Sequence, residues 1–261
     1  VLIGTLYPIF LEVISSQKIS VGPPFYNKLI IPFLIPFLIA MTIGPKLEWI
    51  KSKFANKIYL ILFFILSLFL SVFITTILGV NFLLNTILIT PAFYLFFITM
   101  RDFFLMKFKN LSQNLAHFGF SLLILSILFN NLLSTEVITN LKVGEIYQAK
   151  DYKINFESID QKEKQNFKSF VGKFSIENLD GSIEILRPEL RVYNQPNIVT
   201  SEADIKTNLL RDKFITINLV QNQEYFNIRY QVKPLMMWIW LSVLLISFAG
   251  IISIIKKKYE K

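Results

Sequence analysis

Residues 58–79 read IYLILFFILSLFLSVFITTILG, a run with no charged side chain. A helix of about 20 mostly apolar residues is what crosses a hydrocarbon core of ~30 Å. Working outward, comparable runs occupy 28–47, 85–103, 114–133 and 235–255, and the chain opens inside a further apolar run, VLIGTLYPIFLEVI. That opening run reads as a truncated span, and the chain as a portion of something longer or a trimmed product. No basic segment with a small-residue cleavage site precedes it, so it does not read as a cleavable signal peptide. Over the 261 residues, 53% are hydrophobic and the mean hydropathy is +0.51. The distribution matters more than the total, because residues 134–234 have the mixed polarity of a soluble domain.

Charge follows the same division. The net charge is +9, yet residues 134–234 hold 14 basic and 14 acidic side chains. The excess therefore flanks the apolar runs, which argues for membrane topology and against nucleic-acid binding. One set of connections carries Lys46, Lys51, Lys53, Lys57, Arg101, Lys107, Lys109 and the tail Lys256, Lys257, Lys258 and Lys261. The other set carries Lys18 and Lys28, with none in the turn near Val80–Leu84. Positively charged loops favour the cytoplasmic side. Alternating five full spans then puts the basic tail 256–261 in the cytoplasm (or matrix) and 134–234 on the opposite face. Pro32, Pro36 and Pro91 fall inside spans, where they either line a kinked cavity or are tolerated because neighbouring helices satisfy the freed carbonyls.

Within 134–234, apolar and polar residues alternate with period two at 152–156, 173–176, 183–185, 214–219 and 225–232, the pattern of half-buried strands. Asp180-Gly181 lies between two of these segments and signals a hairpin. Thr200-Ser201 ahead of Glu202-Ala203-Asp204 predicts a short capped helix or an irregular turn. The expected architecture is thus a polytopic α-helical membrane protein with an inserted extracytoplasmic all-β domain, a compact sandwich or barrel. No catalytic constellation is present in that domain, and the absence of cysteine excludes disulfides and thiolate ligation on this chain.

The single histidine, His117, lies in the span 114–133. At about 100° per residue, Asn110, Asn114, His117 and Ser121 share one face, while Leu122, Leu123, Leu125 and Ile127 lie elsewhere. A polar stripe on a membrane helix turns toward the bundle interior. Two readings of His117 stay open on the residues alone: a hydrogen bond across helices or near the interface, or ligation of haem iron by neutral imidazole.

Several segments, in order, resemble the CcmF family of cytochrome c haem lyase subunits. They are Gly4-Thr-Leu-Tyr-Pro8, Lys18-Ile-Ser-Val-Gly-Pro-Pro-Phe-Tyr-Asn27, Ile43-Gly-Pro45, Ala116-His-Phe-Gly119 and Leu141-Lys-Val-Gly144. Arg187-Pro-Glu-Leu-Arg191, Glu202-Ala203, Leu210-Arg-Asp212, Lys233-Pro-Leu and Trp238-Ile-Trp240 follow. The resemblance implies a protein of the bacterial inner or mitochondrial inner membrane. It would receive haem from a haem chaperone and help attach it to apocytochrome c, alongside other maturation subunits. It implies a buried haem b with His117 as one axial ligand of the iron, and transient contact with substrate haem. The chain departs from the complete family pattern. The tryptophan-rich outer loop, the outer-face histidines and the second axial ligand are not in it, so the partner ligand is expected outside this chain and attachment by this chain alone is not. Arg187 and Arg191 have two readings, contact with haem propionates or pairing with Glu184, Glu189 or Glu202. The alternative function is a non-enzymatic membrane scaffold or transporter-like subunit whose outer β domain docks partners.

Overall fold

A computed structural model describes residues 2–15, 22–47, 58–105, 111–220 and 224–259. The six helices are α1 (Leu2–Ser15), α2 (Pro23–Ile43), α3 (Ile58–Leu78), α4 (Phe82–Phe104), α5 (Leu111–Leu133) and α6 (Met236–Tyr259). Five of the described helices, α2 to α6, are long and apolar enough to cross a membrane. Ten strands, β1 to β10, fill the interval between α5 and α6. Lys18, Lys51, Lys53, Lys57, Lys107, Lys109, Asn110 and Lys261 lie outside the described residues. The chain divides into two compact units, one of residues 1–125 with 242–261 and one of residues 126–241.

In the first unit α4 packs against both α2 and α3. The α3 side of that contact is polar and small: Ser67, Ser71 and Thr75, spaced four apart, are buried, while Ile61, Ile65 and Phe69 stay exposed. An apolar outer face costs nothing in lipid, whereas hydroxyls need partners, so the helix is turned with its polar side inward. Ser71 Oγ donates to the Thr86 carbonyl at 3.1 Å, and Thr90 Oγ1 donates to the same oxygen at 2.7 Å. The shared acceptor, the Thr86 carbonyl, lies just over one turn before the buried Pro91, and α4 runs through that proline without interruption. The helix α2 likewise continues through Pro32 and Pro36. A cavity of about 290 Å³ opens between α2, α3 and α4, lined by Ile39, Ile43, Leu60, Ile61, Phe64 and Tyr94.

The second unit is a two-sheet antiparallel sandwich. One sheet has the order β1-β10-β9-β8 and the other β2-β3-β4-β6-β7, with β5 added beside β4. The alternating segments of the sequence are β3 (Tyr152–Glu163), β4 (Phe167–Asn178), β5 (Ile183–Leu186), β9 (Arg211–Leu219) and β10 (Phe226–Pro234). Their inward residues make the core: Ile154, Phe156, Phe174, Ile176, Leu186, Ile215, Ile217, Ile228 and Tyr230. The Phe156 and Phe174 rings stack at 4.3 Å. The hairpin at Asp180-Gly181 is present, with Gly181 at φ +77° and its N–H donating to the Asn178 carbonyl at 3.0 Å. A left-handed residue is needed there, and glycine reaches that region without a Cβ clash.

One expectation is corrected. Residues 199–207 form neither a capped helix nor an irregular turn but two short strands, β7 (Val199–Glu202) and β8 (Asp204–Thr207). β7 pairs with β6 (Glu189–Tyr193) in one sheet and β8 with β9 in the other, so the chain changes sheet at Ala203. The pairing partners on both sides supply the backbone hydrogen bonds that a local cap would have supplied, and tertiary pairing overrides the capping signal.

On β9, Asp212 is buried, and its Oδ1 has no hydrogen-bond partner among the described residues. Burial pushes this carboxyl above its ordinary value, opposed by a hydrogen bond from Thr207. A raised folded-state pKa means that the folded form holds the proton more tightly than the unfolded chain. Stability is therefore fully present below the ordinary carboxylate range and falls as pH rises through it. Asp212→Asn is expected to stabilise the β domain by about 1 kcal/mol at neutral pH. The gain should shrink toward zero in acid, as read from urea unfolding midpoints of the two proteins at each pH.

Candidate functional site

The helix α5 carries His117 and meets three neighbours. Toward α4, Phe118 packs on Phe103 (5.2 Å) and Phe96 (5.8 Å), and the Ser121 hydroxyl lies 2.8 Å from that of Thr99. Toward α2, Phe120 meets Phe37 edge-on at 6.1 Å. Toward α6, Ser112 Oγ donates to the Ala249 carbonyl at 3.0 Å. Gly119 also faces α6, and a Cβ placed on it would come within 3.0 Å of Ile246 and 3.2 Å of Leu245. The small residue is what allows that approach. Gly119→Leu is expected to cost about 1–3 kcal/mol through overpacking, seen as a lower midpoint of helix loss in detergent.

His117 is half-buried. By helical rotation it falls between the α4-facing side chains Asn114 and Ser121 and the α2-facing Phe120. Asn114 Nδ2 donates to the Asp102 carbonyl at 3.4 Å. The polar stripe read from the sequence is thus turned inward at Asn114 and Ser121, while Asn110 lies outside the described residues.

Two charged groups at the ends of other helices, Asp102 and Lys46, act on His117 electrostatically. Lys46 follows the Gly44-Pro45 turn that ends α2, and its ammonium pairs with the Asp102 carboxylate. Arg101 Nη1 is 3.6 Å from Asp102 as well, and the Arg101 guanidinium stacks over the Tyr59 ring at 3.9 Å. In the sequence Lys46 and Arg101 carry only a topological message. Their convergence on Asp102, a lone carboxylate at the end of an apolar span, comes from helix packing.

The chemistry available is that of one half-buried imidazole on the polar stripe of α5, with two cations and one carboxylate paired at the ends of α2 and α4. Among the described residues no three His, Cys, Asp or Glu side chains group as metal ligands. A single imidazole nitrogen is a donor of the type that can occupy one axial position on haem iron.

The arginines considered from sequence stay within the β domain. Arg191 Nε donates to Glu189 Oε2 at 3.0 Å, and its Nη1 lies 3.9 Å from Glu202. The Arg187 backbone N–H donates to Asp204 Oδ2 at 2.5 Å. Intradomain pairing is therefore the arrangement found for Arg191.

Comparison with known proteins adds independent information. The family model described as the CcmF C-terminal beta-sandwich matches residues 132–234, the same strands described above. The cytochrome c-type biogenesis protein CcmF of Pseudomonas fluorescens is 28% identical across 100% of this chain, and that of Escherichia coli K12 is 25% identical, also across 100%. Residues 132–234 carry the CcmF C-terminal beta-sandwich, and the chain as a whole is similar to CcmF proteins. In both comparisons it spans 42% of the relative's length, and it aligns with the C-terminal portion of the family. A solved structure of a cytochrome c haem lyase CcmF shares the fold, with a TM-score of 0.71 at 18% identity, over 96% of this chain and 42% of the other. The membrane helices and the sandwich thus recur together in the family, and the protein is a multi-pass membrane protein.

Proposed function

We propose that this chain is the C-terminal portion of a cytochrome c haem lyase and that His117 contributes one axial ligand to a haem b buried among its helices. The observation that carries the reading is His117 itself: the chain's only histidine, half-buried inside the Ala116-His-Phe-Gly119 segment, beside the polar residues that α5 turns toward α4. Bound there, the haem would supply one-electron chemistry that keeps the substrate haem iron reduced. The residues of this chain would do the rest. His117 holds an iron position through its imidazole, Phe118 and Phe120 exclude water, and Lys46 and Arg101 supply positive charge toward propionate groups.

Similarity to CcmF proteins makes a haem chaperone, apocytochrome c and sister maturation subunits the partners of this reading. The basic loops favour a cytoplasmic or matrix-side C-terminus, with the β domain on the outer face, where apocytochrome is matured. The second axial ligand comes from a segment not contained in this chain. The test is a His117→Ala protein, produced with the remainder of the family protein and assayed for haem content and for haem attachment to a Cys-x-x-Cys-His apocytochrome.

A further inference from the structure

We infer that the loop Asn208-Leu209-Leu210 is a bilayer anchor, inserting two leucines into the lipid interface beside the first turn of α6. Both side chains are strongly exposed, Leu209 at 67% and Leu210 at 69%. They border an open groove of about 1110 Å³ whose other walls are Asn208, Arg211, Pro234 and Trp238. What covers them follows from the depth at which the loop is held. The apolar window of α6 is Met236–Lys256, 21 residues, which at ~1.5 Å per residue matches a hydrocarbon thickness of ~30 Å. Met236 therefore marks one edge of the hydrocarbon. The loop is fastened at that level: Trp238 Nε1 donates to the Leu209 carbonyl at 2.9 Å, and the Leu235 N–H donates to the Leu210 carbonyl at 2.8 Å.

Two further features suit lipid as the occupant. The loop leaves few backbone groups in need of water. Asn208 Oδ1 accepts from the N–H groups of Leu210 (2.9 Å) and Arg211 (2.8 Å), and the Asn208 N–H donates to the Arg211 carbonyl at 3.1 Å. Satisfied backbone is the condition for placing a loop near hydrocarbon. The chemistry also changes along the chain as an interface does. A tryptophan stands beside the leucines and a cation, Arg211, follows them on β9; Trp belongs to the headgroup belt, and Arg can reach lipid phosphates while its stem stays in apolar surroundings. The inference rests on the membrane-spanning character of α6 and is independent of any haem.

The chain has no cysteine, so single labels are placed by Leu209→Cys and Leu210→Cys. Leu179→Cys, at the exposed Asp180-Gly181 hairpin (78% exposed), is the reference. Each is labelled with an environment-sensitive fluorophore in the full chain, reconstituted into phosphatidylcholine–phosphatidylglycerol vesicles. Labels at 209 and 210 are expected to emit further to the blue, and to be quenched about twofold more by shallow spin-labelled lipid than the label at 179. The label at 179 should respond to aqueous iodide instead. Iodide quenching of both 209 and 210 to the level of 179 would overturn the anchor. Shielding from both quenchers would also overturn it, since the groove would then be covered by protein.

Discussion

A His117→Ala protein is expected to lose its b-type haem absorbance almost entirely while keeping its fold. The direction follows from the donor inventory. With one histidine and no cysteine in the chain, and no acidic cluster among the described residues to take over, no other side chain offers a neutral nitrogen to that iron position. Alanine removes the ligand without introducing a group that must be satisfied. The aromatic contacts of Phe118 and Phe120 with α4 and α2 are carried by other residues and should persist. Asn114→Ala is the matched control: it removes a polar group from the same face, one turn away, and should retain haem. Absorbance of the reduced protein reads occupancy, and far-UV circular dichroism reads the fold. Full haem retention in His117→Ala would sink the ligand assignment. The scaffold reading makes a separate demand, normal cytochrome c maturation in His117→Ala but failure when residues 134–234 are deleted. Loss of haem attachment in His117→Ala would exclude the scaffold reading.

What the sequence makes legible depends on the range of the interaction. The run at 58–79 needs only its own composition, and α3 covers Ile58–Leu78. The strands with clear period two need only one buried face, and they form the sandwich core. The strands β7 and β8 have too few residues for a period to register, and their pairing to β6 and β9 decides them. The same limit applies to the charges near His117. Lys46 and Asp102 are 56 positions apart and meet only because α2 and α4 pack together. Arg191 shows the opposite case, since its partner Glu189 lies two residues away on one strand. Local pairs are readable; contacts made by packing require the fold.

In the β domain, Lys213→Met is expected to be among the most damaging single changes, and Glu184→Leu in the same chain to restore most of what is lost. Lys213 is 3% exposed, a rare situation for lysine that burial tolerates only with partners. Its ammonium lies 2.9 Å from Glu184 Oε2 and donates to Asn178 Oδ1 at 3.0 Å. The Glu184 oxygen has no aligned hydrogen bond of its own, so the ion pair is its main compensation. Removing the lysine leaves a largely buried carboxylate facing the wall of the core, near the buried Tyr230. Breaking a buried pair from one side costs about 3–5 kcal/mol, a large share of the ~5–15 kcal/mol that stabilises a domain of this size. Replacing both partners with apolar side chains removes the charge and its desolvation together, which is neutral or stabilising in comparable cases. The measurement is a double-mutant cycle in urea, followed by the near-ultraviolet signal of the core tyrosines. A Lys213→Met chain as stable as the double variant would show that Glu184 finds water or another donor. The pair would then contribute specificity to the packing of the two sheets, one carrying β5 and the other β9, rather than stability.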